Sequence, residues 1–102
     1  MITCLWRGWT SAADAGSYQN FLLTELFPSM RAIPGFVGAE VLCRQEGTEA
    51  AFVTLTRFED MADVLAFAGE DYETPVLEPE ALRLLSRYDD HALHFETATF
   101  SR

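Results

Sequence analysis

Three stretches carry the residue types and two-residue alternation of strands. Residues 2–9 (ITCLWRGW), 36–44 (FVGAEVLCR) and 50–58 (AAFVTLTRF) are rich in large and β-branched side chains and are bounded by Gly, Pro or short polar runs. A fourth strand is predicted over 88–100 (YDDHALHFETATF). Between the first two, Tyr18, Phe21, Leu22, Leu26 and Met30 recur at helical spacing, which predicts a helix over 12–31. Thr10 or Ser11 is placed to cap it, Asp14 suits its first turn, and Pro28 should kink or end it. Ile33-Pro34-Gly35-Phe36 reads as a turn, and the polar run Gln45–Glu49 as a hairpin connection. Met61, Val64, Leu65 and Ala68 mark one face of a helix over about 61–69, capped by Asp60 and stopped by Gly69. Pro79 fits the first turn of a last helix to about Arg87, with Leu82 and Leu85 inward and Arg83 and Arg87 at its negative end.

The resulting order, β-α-β-β-α-β with an extra short helix, predicts an α+β fold. It is a ferredoxin-like sandwich with a four-stranded antiparallel sheet and helices on one face, one domain over residues 1–102. In such a sandwich the other sheet face meets water and should be polar. Here alternation sorts the first strand into Ile2, Cys4, Trp6, Gly8 and Thr3, Leu5, Arg7, Trp9, and the third into Ala51, Val53, Leu55, Arg57 and Phe52, Thr54, Thr56, Phe58. Both sides are substantially apolar, more than a monomer exposes comfortably. The expectation is a homodimer, packed sheet against sheet, with a cavity between the two layers. Gly8 permits close packing under the helices, which places Arg7 and Trp9 on the cavity side.

Composition narrows the function. The 16 acids outweigh seven basic residues for a net charge of −9, and all seven are Arg. Without Lys there is no Walker-type phosphate loop and no Schiff-base chemistry, and without a basic footprint no nucleic-acid or anionic-membrane partner is expected. No apolar run approaches the roughly 20 residues of a membrane span. The start of the chain, MITCLWR, lacks the features of a signal peptide, and two cysteines are too few for a disulfide framework. A cytoplasmic protein with reduced cysteines is expected.

Few residues carry chemistry. His91 and His94 are three apart on the predicted strand, hence on opposite faces, and no His or Cys pair has ligand spacing, so no metal is implied. Either histidine can move a proton near neutral pH, and His94 is the preferred pocket base. Arg7, mid-strand between two tryptophans, pairs with an acid such as Glu96 or Asp71 or holds an oxyanion. Whichever of Trp6 and Trp9 faces the cavity can stack on a planar ligand. Tyr72, in the acidic loop GEDYE, offers a hydroxyl at the cavity mouth. Tyr18 belongs to the buried stripe and reads as core. The eight acids of residues 59–80 read as a solvated face.

These elements resemble the antibiotic biosynthesis monooxygenase superfamily of dimeric α/β-barrel proteins over nearly the whole chain. The resemblance rests on WRGWT at 6–10, PSMRAIPGFVG at 28–38, FVTLTRFEDMADVLAF at 52–67, GEDYE at 69–73 and HALHFE at 91–96. It implies a homodimer and a pocket for a small organic molecule, without a cofactor. The haem-degrading branch uses an Asn on the first strand, a Trp after the third and a His on the second helix. Here the first strand has no Asn, Phe58 stands about where that Trp would be, and residues 61–69 hold no His. The implied activity is therefore cofactor-free oxygenation of a phenol or quinol. His94, Arg7 and Tyr72 are its candidate catalytic residues, and Trp6, Trp9 and Phe58 its candidate substrate contacts. The alternatives are isomerisation, cyclisation or dehydration in the same pocket, or ligand binding without chemistry.

Overall fold

Strand β1 (Ile2–Ser11) is the spine of the sheet, and its neighbours fix where every side chain can point. The structure, a computed structural model describing Met1–Arg102, pairs β1 along its whole length with β3 (Glu49–Phe58), antiparallel, from Ile2 opposite Phe58 to Ser11 opposite Glu49. Strand β2 (Phe36–Glu46) pairs with the far side of β3 through the hairpin at Gly47. On the other side of β1 lie β4 (Leu85–Tyr88) and β5 (Leu93–Glu96), both antiparallel to it. The order β2-β3-β1-β4, with β5 continuing the β4 edge, is the ferredoxin-like arrangement expected. It keeps Cys4 and Cys43 on non-adjacent strands, and both are free thiols.

The predicted last helix and strand need correction. Helix α4 ends at Leu84 rather than Arg87. Leu85 is already extended, and its side chain fills the space left by Gly8, where an added Cβ would lie 2.8 Å from Leu85 Cδ2. The predicted strand 88–100 is interrupted over Asp89–Ala92, so His91 sits in an exposed turn rather than on a sheet face. Two bonds hold the interruption: Asp89 N–H donates to Arg7 O at 3.0 Å, and Trp6 Nε1 donates to Asp89 O at 2.8 Å.

The first helical run follows its sequence closely. Ser11 Oγ accepts from Asp14 N at 3.2 Å and opens a 3-10 turn, Ala12–Asp14, leading into α1 (Ala15–Phe21). Pro28 has no N–H, and its ring crowds the carbonyl four residues back. The chain answers with a wider π-helical turn over Leu22–Leu26, before α2 (Phe27–Met30) resumes with Pro28 in its first turn. Gly35 then turns the chain with φ 81°, and an added Cβ would lie 2.1 Å from the Asp63 carboxyl carbon, so only Gly fits. Asp60 Oδ1 accepts from Asp63 N at 3.1 Å and starts α3 (Met61–Ala68). α4 (Pro79–Leu84) completes the layer.

All helices cover one sheet face. The core between them holds Tyr18, Phe21, Leu22, Phe52, Phe58 and Val64. On β2, a bulge between Phe36 and Gly38 breaks strict alternation and turns Phe36 to the helix side, its ring centroid 5.8 Å from that of Phe58. The opposite face is left open. Only 14 of 102 residues are buried, and Leu42, Leu93 and Phe95 on that face remain about half exposed.

Candidate functional site

The cavity lies between sheet and helices, not on the open face of the sheet. It has a volume of about 180 Å³ and is lined by 24 residues, 17 of them hydrophobic. Its floor is the row of β1 that points toward the helices, Cys4 and Trp6, with Thr54, Thr56 and Phe58 from β3 and His94 from β5. Its roof is Tyr18, Leu22, Met30, Val64 and Phe67, and the loop from Tyr72 to Glu78 supplies the remaining wall.

Four of the six residues predicted from sequence meet here: His94, Tyr72, Trp6 and Phe58. Arg7 and Trp9 do not, and the expectation that they face the cavity is corrected. Parity put them opposite Gly8, as found, but the void lies on the Gly8 side. Arg7 forms an ion pair with Asp89, Nε to Oδ2 at 2.7 Å, rather than with Glu96 or Asp71. Trp9 lies under Arg87, whose guanidinium carbon is 4.0 Å from the ring centroid, and donates to Glu46 Oε1 at 3.3 Å. Both line only a groove on the outer face, bounded by nine residues.

Within the cavity, each polar group has a definite state. Trp6 spends its N–H on Asp89 O, so it offers a ring face and no donor. Its ring lies beside that of Tyr88 with centroids 5.7 Å apart. Phe58 is buried and stacks on Phe67 at 5.7 Å. His94 meets the Tyr72 ring edge-on, centroids 5.1 Å apart. Its Nδ1 is buried and has no hydrogen-bond partner. Burial pushes the His94 pKa below the ordinary 6.5, only partly opposed by the charge of Glu73. The imidazole is therefore neutral at pH 7, the form that accepts a proton.

Two further residues with chemical potential line the cavity: Tyr18, which the sequence reads as core, and Cys4, which it reads only as a reduced thiol. Tyr18 lines the cavity, and burial pushes its phenol up to about 12, so it stays a protonated donor. Cys4 lies on the floor; burial raises its thiol pKa, against a lowering hydrogen bond with Thr56, so the thiolate is disfavoured. Shared parity with Trp6 was the signal that could have placed Cys4 here. No group of His, Cys, Asp and Glu side chains could hold a metal ion, and no helix is long and apolar enough to cross a membrane.

Similarity to known proteins is structural. No family model matches the chain, and no curated protein matches it in sequence. The haem-degrading protein MhuD of Mycobacterium tuberculosis, solved with two haems in its active site, superposes over all of both chains with a TM-score of 0.62 at 18% identity. A proposed antibiotic biosynthesis monooxygenase from Deinococcus radiodurans superposes over 100% of this chain and 97% of its own, with a TM-score of 0.61 at 12% identity. The chain shares the ferredoxin-like α+β fold of these two structures. At these identities the likeness establishes the fold alone.

The depressed His94 pKa has a consequence for stability. The unfolded chain takes up this proton near pH 6.5, before the folded chain does. Its contribution is therefore present above pH 6.5 and is lost as the pH falls through the lower folded value. Urea midpoints measured from pH 7.5 to 5 should fall more steeply for the parent than for His94→Gln; parallel curves would contradict a buried neutral imidazole.

Proposed function

We propose that the chain is a cofactor-independent monooxygenase that oxidises a small phenol or quinol in the helix-side cavity. The observation that carries this reading is the unpartnered, buried His94 Nδ1 in the wall of an apolar chamber. A buried nitrogen without a partner is costly, and a substrate hydroxyl would satisfy it. The ring of such a substrate lies against Trp6 or Phe58. His94 takes the hydroxyl proton, and Tyr72 donates to the resulting oxyanion. Arg7, held by Asp89 on the far face, has no part in it.

The phenolate then passes an electron to dioxygen, and the radical pair combines at the open para carbon. Loss of water leaves the quinone: one oxygen atom enters the ring, the other leaves as water, and the ring loses two hydrogens. The low polarity of the chamber excludes bulk water from the reactive pair.

Haem fits this chamber poorly. Its volume of about 180 Å³ is below the roughly 300–1,000 Å³ typical of drug-sized ligands, and no arginine lines it to meet two carboxylates. A one- or two-ring substrate is the better match.

The same reading includes a homodimer through the open sheet face. Leu5, Val53, Leu55, Leu42, Leu93 and Phe95 form an apolar centre there. Around it stand four ion pairs, Arg7–Asp89, Arg44–Glu46, Arg57–Glu40 and Arg87–Glu49. Four arginines cancel four acids, so this face is neutral although the chain carries −9. Two copies can therefore meet here without the repulsion that their net charges would impose elsewhere.

Oxygen uptake with a panel of para-unsubstituted phenols and naphthols tests the activity, using protein free of metal and flavin. Turnover should give a product heavier by one oxygen and lighter by two hydrogens, and His94→Ala should lower kcat by about 100-fold. Products of unchanged mass would shift the assignment to isomerisation, and no turnover would leave a binding protein. Light scattering checks the interface: the parent should have twice the mass of the chain, and Leu5→Glu should halve it. A monomeric parent at micromolar concentration would refute the interface.

A further inference from the structure

The charge balance of the outer face has a complement on the cavity side. With four arginines and four acids cancelled around the sheet, three arginines and twelve acids remain, and they carry the whole net charge of −9. Eight of those twelve fall within residues 59–80, the segment that contains α3 and the loop walling the cavity. Glu78 is itself part of the lining. Glu73 is close enough to act on the His94 charge, and its backbone carbonyl accepts from Ala92 N at 2.7 Å, which ties the loop to the turn before β5. The only basic residue of α4, Arg83 in its last turn, is already paired with Glu80. No arginine lines the cavity, and its one histidine is neutral.

From this segregation we infer the charge class of the substrate: an uncharged phenolic ring whose tail, where it has one, ends in a protonated amine beside the Tyr72–Glu78 wall, with carboxylate and phosphate tails disfavoured. The inference rests on the cavity being a phenol site. An anionic tail would lie against an acidic wall with no counter-ion, and an apolar chamber cannot solvate it. An ammonium at the same place gains from Glu78 directly and from Glu73, Asp71 and Glu70 at longer range. These groups are exposed, so the preference is moderate and screened by salt.

Three ligands that share one ring, leave its para carbon open and differ in tail charge give the test: 3-(2-aminoethyl)phenol, 3-ethylphenol and 3-hydroxyphenylacetate. Their Kd values are measured by calorimetry on the intact protein at low and high sodium chloride. The expected order is amine, then neutral, then carboxylate, with about tenfold between the extremes at low salt. That gap should shrink at high salt, and in the double variant Glu73→Gln, Glu78→Gln. Equal affinities, or tightest binding of the carboxylate, would overturn the charge rule and leave the phenol site standing. Failure of all three ligands to bind would remove the phenol site and the charge rule with it.

Discussion

The strict alternation of β1 governs the layout of this molecule. β1 is bonded on both sides, to β3 along one edge and to β4 and β5 along the other. Its side chains can go only up or down. Cys4 and Trp6 go to the helix side and form the floor of the cavity; Leu5, Arg7 and Trp9 go to the open face. A slip of one residue would exchange these two sets. Three features hold the register: the continuous pairing with β3, the contact of Leu85 at Gly8, and the Trp6 N–H bonded to Asp89 O. The last of these also orients a cavity wall, so the bond that locks the strand interruption holds the Trp6 indole in the cavity lining.

Division by parity extends to electrostatics. The open face pairs its charges and is neutral overall around an apolar centre, as suits contact with a second copy. The other side concentrates acids around a chamber with no basic lining. The same sheet therefore presents a face suited to self-association and a face suited to a small aromatic guest. The neutral imidazole of His94 lies on the second of these faces, in the cavity wall. Its depressed basicity follows from burial rather than from a charged neighbour, since the charge of Glu73 acts in the opposite direction.

Much of this was legible from residue spacing. The first three strands, the Ser11 and Asp60 caps, the stop at Gly69 and the disruption at Pro28 all follow from local chemistry that tertiary contacts did not override. Alternation also sorted β1 correctly into its two faces. It could not say which face leaves a void, because both rows are apolar and the gap depends on how the roof and the loop after α3 sit above the floor. That is why spacing points Arg7 and Trp9 at the cavity, and leaves Tyr18 in the core and Cys4 without a place in the site. The ion pair of Arg7 with Asp89 joins residues 82 apart through a strand interruption that no periodicity announces. Phe36 reaches the helix side only because of a bulge, which shifts alternation by one.

The two tryptophans lie on opposite sheet faces and report directly on which face receives a ligand. Their indole N–H resonances can be followed by NMR while a simple phenol such as 4-methylphenol is added. The expected result is a saturable shift of Trp6 together with the His94 ring signals, with Trp9 unmoved. Movement of Trp9 and the Arg7 side chain, with Trp6 and His94 unchanged, would place the ligand on the outer face and contradict the helix-side site.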